Sequence, residues 1–299
     1  MSPSAKGMED TSQAIELFAP AKINLDLRIL GRRADGFHEL STRMAPVSLG
    51  DRLRLALRSE REISFLCDDP RIPAGAENLV SRAARLFADS FGLPGGLTIS
   101  LEKRLPSGAG LGGGSSDAAV TLLALRRLLG YPSSRDDLVP LASSLGSDVP
   151  FFLVQKPAVC RGRGEIVFPE PWLGPRHGLL LFPGFPVPTP WAYRAYASNP
   201  RPGEERGGPP WGPVRNDLEP AVCEKYLWIG VARDWLLREA GALLAMMSGS
   251  GSSVFGLWEA PPDPGIVARA RLFFGAEAWI EPFSLLDGET SPGFPAGHP

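Results

Sequence analysis

Hydrophobic and polar residues alternate with a period of two in several short segments of the chain. Such alternation predicts β-strands, because successive side chains of a strand point to opposite faces. It is clearest in residues 22–30, where isoleucine or leucine occupies every second position from Ile23. The other face of that segment carries Lys22, Asn24, Asp26 and Arg28. Strands are predicted at residues 15–18, 22–30, 52–58, 62–67, 97–101, 252–258 and 276–281 and, from an unbroken apolar run, at 151–154.

Apolar residues three and four positions apart predict helices at residues 78–91, 115–129, 134–146, 221–240 and 263–274. Ser115 or Ser116 is expected to cap the second helix, which Gly130 and Pro132 would end. Proline, glycine and charged residues dominate residues 200–213 and predict a long exposed loop. Because several adjacent strands lack a helical connection, the mixture favours an α+β architecture over a doubly wound parallel sheet.

Composition narrows the class of protein. The 299 residues, 43% hydrophobic and 21% charged, are typical of one large globular domain or two closely joined ones. A formal net charge of −2 argues against a nucleic-acid-binding protein. No apolar run approaches the ~18 residues of a membrane span, and residues 1–13 contain no apolar signal core. Residues 1–13 and 289–299 are expected to be disordered tails.

The cysteines and histidines do not suggest a metal centre. Three widely spaced cysteines fit neither a disulfide framework nor a zinc site, and we interpret them as reduced thiols of a cytoplasmic protein. With only three histidines in the chain, a histidine-based metal centre is not expected.

The segment from Leu105 to Asp117 has five glycines in the seven positions 108–114 and leads directly into a predicted helix. Glycines let backbone N–H groups approach a ligand closely, and free N–H groups at a helix start attract anions. The segment therefore predicts a phosphate-binding loop. A flexible linker is the alternative, but a linker rarely leads straight into an amphipathic helix.

This loop differs from three well-known phosphate-binding loops. Gly108, Gly110 and Gly113 satisfy G-x-G-x-x-G, but a dinucleotide-binding turn follows its strand directly, whereas residues 103–106 intervene here. No Lys-Ser or Lys-Thr follows the last glycine, as the Walker A loop requires. The chain also lacks the H-R-D and D-F-G motifs of protein kinases.

Three segments, in order, resemble the motifs of the GHMP kinases. The segment P-S-G-A-G-L-G-G-G-S-S-D-A-A resembles their phosphate loop, P-A-K-I-N-L their first motif, and M-S-G-S-G-S-S-V-F-G their third. The resemblance covers about residues 18–281. It implies an ATP-dependent small-molecule kinase of α+β class with its active site in a cleft between two domains. Residues 14–168 would form a kinase domain with a left-handed βαβ unit, and residues 169–288 a ferredoxin-like domain.

Three further segments, G-R-R-A-D-G-F-H-E-L, G-S-D-V-P-F-F and R-G-R-G-E, resemble one branch of the GHMP kinases. Its members phosphorylate a cytidine diphosphate-linked polyol at the tertiary 2-hydroxyl, in the non-mevalonate isoprenoid pathway. The resemblance implies ATP and Mg²⁺ as cofactors, Asp148 as general base, and Lys22 beside it, where its charge keeps the carboxylate ionised. Without the resemblance, Asp148 would be a turn residue and Lys22 a solvated lysine.

The resemblance also assigns nucleotide-binding residues. Lys103 and Asn78 are expected beside the nucleotide, and Ser115 beside Mg²⁺ or a phosphate oxygen. The alternatives are a surface position for Lys103 and helix capping for Asn78 and Ser115. The other expected ATP contacts belong to the glycine loop: Pro106, Ser107, Gly108, Ala109, Gly110, Leu111, Gly112, Gly113, Gly114, Ser115 and Ser116.

For the acceptor, the resemblance implies that His38 hydrogen-bonds the cytosine and Tyr193 stacks on it. Phe37 stands where tyrosine is commoner, and core packing is the alternative role for these rings. Asp26 departs from the apolar residue usual in the family. The expected acceptor-binding residues are Asn24, Phe37, His38, Thr189, Tyr193, Gly249 and Ser250.

Two alternative functions use the same residues: a GHMP kinase acting on a different small alcohol, and a nucleotide-binding protein without catalysis. The D-G-F-H segment disfavours the first, and the presence of both Lys22 and Asp148 disfavours the second. The expected partner is a small-molecule substrate, with no nucleic acid and no membrane, and no oligomeric state is predicted.

Overall fold

The computed structural model describes residues 13–131, 134–208 and 210–288, and its first half is built on one mixed β-sheet. The strands are β1 (Ala14–Arg32), β2 (His38–Arg58), β3 (Ile63–Cys67), β4 (Gly96–Glu102), β5 (Ala158–Gly162) and β6 (Ile166–Pro169). Their order is β3-β4-β2-β5-β6, and β1 pairs with β2 in antiparallel fashion beside this path.

Strand β1 unites two segments that the hydrophobic pattern predicts as separate strands, residues 15–18 and 22–30. The pairing with β2 shifts between Pro20 and Lys22. Proline has no N–H to donate to the ladder, and the pairing is irregular beside it while the strand continues. Strand β2 is also longer than predicted, because it begins at His38 rather than near Arg52.

Four helices pack together against this sheet: α1 (Leu79–Phe91), α2 (Gly113–Leu128), α3 (Val139–Leu145) and α4 (Val149–Val154). Helix α2 is the central one, since every residue from 116 to 125 is buried. It contacts both β1 and the other three helices. The start of α2, which carries the glycine loop, is therefore rigidly placed.

Two local predictions are wrong. Residues 151–154 form α4 rather than a buried strand. A short apolar run fits either structure, and Pro150 in the first turn favours a helix. Neither Ser115 nor Ser116 caps α2, which begins before both serines, directly after the left-handed Gly112 (φ 70°).

The second half forms a four-stranded antiparallel sheet with the order β10-β7-β9-β8. Its elements follow the chain as β7 (His177–Phe182), α5 (Thr189–Ser198), α6 (Glu219–Lys225), α7 (Leu227–Arg238), β8 (Leu244–Met247), β9 (Val254–Trp258), α8 (Pro264–Phe274) and β10 (Trp279–Ser284). This β-α-β-β-α-β sequence is the ferredoxin-like arrangement, as expected. The helix predicted at residues 221–240 is divided at Tyr226 into α6 and α7.

The α+β class is confirmed by these two sheets with their segregated helices. Strand β3 precedes α1 in the chain, β4 follows it, and the two strands pair in parallel, which gives a βαβ unit. The left-handed sense of this unit stays a prediction. The domain boundary between residues 168 and 169, which falls in β6, also stays a prediction. The expected tails lie outside the described residues, apart from Gln13. Within the described part of the chain, no helix has the length and apolar character needed to cross a membrane.

One hydrophobic cluster joins the two sheets and fixes the cleft between them. Ile23 and Leu25 of β1 pack in the same cluster as Phe182 of β7 and Phe255 of β9. Because side chains alternate along β1, burying Ile23 and Leu25 toward the second sheet sets the direction of their neighbours at 22 and 24. The core thereby positions the polar face of β1.

Candidate active site

The glycine loop passes very close to the third glycine-rich segment. Gly110 has φ 78°, and a Cβ atom on it would lie 2.6 Å from the Ser248 carbonyl oxygen and 2.8 Å from that of Gly251. Ser253 N–H also donates to the Ala109 carbonyl at 3.2 Å. The two segments, which come from opposite sheets, therefore meet backbone to backbone, and only glycine fits at position 110.

A cavity of about 410 Å³, the loop cavity, lies beside this loop and the start of α2. Free N–H groups at a helix start suit an anion. Ser116 is the exception among the predicted loop residues, because it is fully buried and its hydroxyl has no partner in the described part of the chain. The predicted residues that do line the cavity are Asn78, Lys103, Pro106, Ser107, Gly108, Ala109, Gly110, Leu111, Gly112, Gly113, Gly114 and Ser115.

Asn78 has a structural role at the wall of this cavity. Its side-chain oxygen accepts from Val80 N–H at 2.8 Å and caps α1, and its amide donates to the Pro73 carbonyl at 2.8 Å. Both halves of the amide are thus engaged locally. The capping alternative is therefore present in the structure, together with the position at the cavity that the resemblance implies.

Lys103 also lines the loop cavity, but its ammonium is held by two carboxylates that the sequence did not reveal. Its Nζ donates to Asp51 and, at 3.0 Å, to Asp117. Burial opposes the charge on Lys103, yet the two carboxylates outweigh it and raise the lysine pKa. Burial also raises the pKa of Asp117 to about 7, against the attraction of Lys103 and with the repulsion of Asp51.

Lys22 and Asp148 meet at the centre of the cleft. Lys22 Nζ lies 3.9 Å from Asp148 Oδ2 and donates to Asn24 Oδ1 at 2.6 Å and to the Gly110 carbonyl at 2.8 Å. Burial lowers the pKa of Lys22, and the Asp148 charge opposes this effect. Asp148 precedes α4, and its side chain is 37% exposed, so its carboxylate is accessible from the cleft.

Asn24 is placed by a hydrogen-bonded chain that crosses the sheet. Its amide donates to Thr42 Oγ1 at 2.8 Å, and the Thr42 hydroxyl donates to the Asp26 carbonyl at 2.7 Å. Asn24 N–H donates to Ser248 Oγ at 3.2 Å. Sequence reasoning missed Thr42 and Ser248, because their proximity depends on strand register and on the packing of the two sheets.

The third glycine-rich segment covers the lysine. A Cβ atom on Gly249, where φ is 58°, would lie 3.1 Å from Asn24 Oδ1 and 3.3 Å from Lys22 Nζ. Ser250 Oγ lies 2.8 Å from Thr189 Oγ1, so the two predicted acceptor residues contact each other. Together they form the wall of a central cavity of about 240 Å³ around Lys22.

The described part of the loop at residues 200–213 leads into a segment that supports this wall. Asn216 Nδ2 donates to the Met247 and Gly249 carbonyls at 2.8 Å each. Asp26, the departure from the family pattern, accepts from Arg28 Nε at 2.9 Å and from Arg215 N–H at 2.9 Å. Burial raises the pKa of Asp26, while these donors lower it. Asp26 therefore ties β1 to this supporting segment.

An aromatic cavity of about 780 Å³ opens beside Asp148. The rings of His38 and Tyr193 are stacked, with centroids 5.1 Å apart and planes at 23°. Phe37 is 53% exposed, and the Arg163 guanidinium carbon lies 4.8 Å from its ring centroid. Burial lowers the pKa of His38, and nearby Arg32 adds to the effect, so the imidazole is neutral at pH 7.

The three cavities lie next to one another, since neighbouring cavities share lining residues. The loop and central cavities share Gly110 and Gly112. The central and aromatic cavities share Asp148, Tyr193 and Arg163, the last of which sequence reasoning missed. A molecule that reached from the glycine loop to the aromatic rings would pass the Lys22–Asp148 pair.

Comparisons with known proteins identify the family of the chain. The family model of the GHMP kinases N terminal domain matches residues 78–156, and that of the GHMP kinases C terminal matches residues 211–275. The curated 4-diphosphocytidyl-2-C-methyl-D-erythritol kinase of Methylacidiphilum infernorum is 46% identical over 289 residues, covering 93% of this chain and 99% of the relative. A protein of the same name from Thermus thermophilus is 44% identical over 292 residues, covering 93% of this chain and 100% of that relative.

A crystal structure of 4-(cytidine 5'-diphospho)-2C-methyl-D-erythritol kinase superimposes with a TM-score of 0.73 at 40% identity, covering 90% of this chain and 99% of that chain. The fold and these relatives define a small-molecule kinase. The chain belongs to the GHMP kinase family, and the expected two-domain fold of that family is confirmed.

Proposed function

We propose that the protein transfers the γ-phosphoryl group of ATP to the 2-hydroxyl of 4-diphosphocytidyl-2-C-methyl-D-erythritol, in the non-mevalonate route to isoprenoid precursors. The row of adjacent cavities from the glycine loop past Lys22 and Asp148 to the aromatic rings carries this proposal. The name shared by the relatives at 44–46% identity supports the same substrate. The cytoplasm is the expected compartment.

Phosphoryl transfer needs alignment and charge compensation more than covalent help from the protein. In the proposed mechanism, the 2-hydroxyl gives its proton to Asp148 as its oxygen attacks the γ-phosphorus, and the bond to the β-phosphate oxygen breaks to release ADP. Lys22 lies 3.9 Å from this carboxylate and offsets the negative charge of the developing alkoxide. Its bonds to Asn24 and Gly110 hold it in that place.

The loop cavity fits the phosphates of ATP, since it joins glycine N–H groups with the start of α2. Mg²⁺ would neutralise phosphate charge there. Among the described residues, no cluster of three His, Cys, Asp or Glu side chains could hold a metal. We propose that the ion would be held by phosphate oxygens together with the Ser115 hydroxyl.

For the acceptor, we assign the cytosine to the aromatic cavity. The neutral His38 imidazole can donate to or accept from the base, and Phe37 and Tyr193 offer faces for stacking. Thr189, Ser250, Gly249 and Asn24 would then line the path of the polyol toward Lys22. An acceptor without a base, the first alternative function, would leave this cavity unused.

The test is turnover with defined acceptors. Pure protein, Mg-ATP and 4-diphosphocytidyl-2-C-methyl-D-erythritol should release one ADP per phosphorylated acceptor in a coupled assay. Mevalonate and homoserine, tested in parallel, should give no ADP above background. Absence of turnover at saturating diphosphocytidyl substrate would refute the proposal, and turnover with a simple alcohol alone would favour the alternative acceptor.

A further inference from the structure

We propose that Arg163 recognises the diphosphate of the acceptor and so makes the protein selective for a nucleoside diphosphate over a nucleoside. This inference rests on the proposed function. It is carried by one juxtaposition: Arg163 lines both the central cavity that holds Lys22 and Asp148 and the aromatic cavity that holds His38 and Tyr193.

Arg163 is held by a tight turn between β5 and β6. Its N–H donates to Glu165 Oε2 at 2.6 Å, and Gly164 N–H donates to the Arg161 carbonyl at 3.0 Å. Strand β5 pairs with β2, with Gly162 opposite Leu40, so the turn stands beside the segment that carries His38. The other side of the turn faces the proposed general base, since an ideal Cβ on Gly164 would lie 3.7 Å from Asp148 Oδ1.

The guanidinium of Arg163 is oriented but still available to a ligand. It lies over the Phe37 ring at 4.8 Å, a geometry that fixes its plane without using its N–H groups. Its Nε is 3.9 Å from Glu165 Oε1, which is beyond a hydrogen bond. Within the described part of the chain the guanidinium has no hydrogen-bond partner. Its donors are therefore free to bind phosphoryl oxygens.

Charge at the junction matches this ligand. Arg32, Arg163 and Arg194 line the aromatic cavity with a single lining carboxylate, Asp148, while Glu165 and Asp35, which interact with the Arg163 charge, do not line it. A diphosphate that joins a nucleoside to a polyol carries one negative charge on each phosphoryl group and lies between the two ends of the molecule. With the base among the rings and the hydroxyl at Asp148, the diphosphate must pass the wall shared by the two cavities. Of the three arginines, only Arg163 belongs to that wall.

The experiment compares Arg163→Met with Arg161→Met. Arg161 is a matched control, because it lies two residues away in the same hairpin with its guanidinium 5.5 Å from the Phe168 ring, and it lines neither cavity. Loss of charge-assisted hydrogen bonds to the diphosphate should raise the acceptor KM of Arg163→Met by about 10- to 100-fold. The change in kcat should be small, since no bond of the diphosphate forms or breaks during the transfer.

Competitive inhibition separates recognition of the diphosphate from recognition of the base. In Arg163→Met the inhibition constant of CDP should rise by a factor similar to that of KM, while that of cytidine should change less than about threefold. Arg163→Lys should recover part of the loss, because the charge returns without the bidentate geometry. Thermal unfolding of each variant will show whether the hairpin is intact.

The outcomes are distinct. If the wild-type protein does not phosphorylate the diphosphocytidyl acceptor, the proposed function fails and the inference falls with it. If the wild type is active and Arg163→Met matches Arg161→Met in KM and in CDP inhibition, the inference alone is refuted. An equal loss for CDP and cytidine would also overturn it, because Arg163 would then act on the base through Phe37.

Discussion

Replacement of Lys103 by methionine should destabilise the protein strongly, because it leaves two buried carboxylates without their cation. The side chains of Lys103, Asp51 and Asp117 are only 6%, 0% and 3% exposed, so the cluster is largely shielded from water. Asp51 Oδ1 keeps two backbone donors, Arg104 N–H at 2.7 Å and Leu105 N–H at 2.8 Å. Asp117 Oδ1, by contrast, has no hydrogen-bond donor in the described part of the chain.

The expected cost is that of one uncompensated buried charge, about 3–5 kcal/mol in the free energy of unfolding at pH 7. In the wild type, the pKa of Asp117 is raised to about 7, so its folded form releases its proton above that pH. Without Lys103 the carboxyl stays protonated to higher pH, whereas the unfolded chain is already ionised. The difference between wild type and variant should therefore grow above pH 7, by up to about 1.4 kcal/mol per pH unit.

Urea unfolding followed by tryptophan fluorescence at pH 6.5 and pH 8.5 measures this difference. Lys156→Met removes an exposed lysine and is the matched control, with a change expected within about 0.5 kcal/mol. In an Asp117→Asn background, the cost of Lys103→Met should no longer grow with pH, since the titrating group is absent from both proteins that are compared. A loss below about 1 kcal/mol, or a loss that shrinks as pH rises, would refute the account of a buried charge cluster.

Three other changes test the site. Asp148→Asn should leave the ATP affinity, measured by fluorescent-nucleotide binding, near the wild-type value while ADP release falls by at least about 10²-fold; wild-type turnover would contradict its role as base. Gly110→Ala should raise the KM for ATP. An alanine in left-handed backbone costs about 1–2 kcal/mol, and the loss of stability here should be larger, because the new Cβ would lie 2.6 Å from a carbonyl oxygen. Gly130→Ala, also left-handed but without neighbours within 4 Å, is its control, and equal losses would refute the close contact. Asn216→Ala should lower the free energy of unfolding by about 1–3 kcal/mol and raise the acceptor KM. Asn199→Ala, at the exposed end of α5, should change neither. An unchanged KM in Asn216→Ala would contradict a positioning role for Asn216.

Much of the fold follows from local pattern, as β1 illustrates. Alternation predicts Ile23 and Leu25 on one face of β1 and Lys22 and Asn24 on the other. In the structure Ile23 and Leu25 pack in the core, and Lys22 and Asn24 are hydrogen-bonded to each other. The same reasoning failed at residues 151–154, because a buried helix and a buried strand have the same unbroken apolar sequence. Periodicity is informative only where one side of an element differs from the other.

The parts of the site that the sequence did not reveal depend on long-range geometry. Thr42 reaches Asn24 through the register of β1 on β2, and Arg163 reaches the cleft through the pairing of β5 with β2. Aspartate is usually a surface residue, so nothing in the sequence marks Asp51 and Asp117 as buried. The packing of α2 on the sheet buries both. A polar residue that is buried with its partner leaves no local signal, since its environment is made by distant segments.

The Gly110 carbonyl has a consequence for how the two substrates bind. It accepts from Lys22 Nζ at 2.8 Å and from Ser248 Oγ at 3.2 Å, so one peptide unit belongs both to the phosphate loop and to the support of the lysine. In the proposed function, a shift of the loop on binding a nucleotide would therefore move the acceptor of the Lys22 hydrogen bond. Coupling between two ligands is reciprocal, so the acceptor must change the affinity for the nucleotide by the same factor. We therefore expect the affinity for either substrate to depend on whether the other is bound.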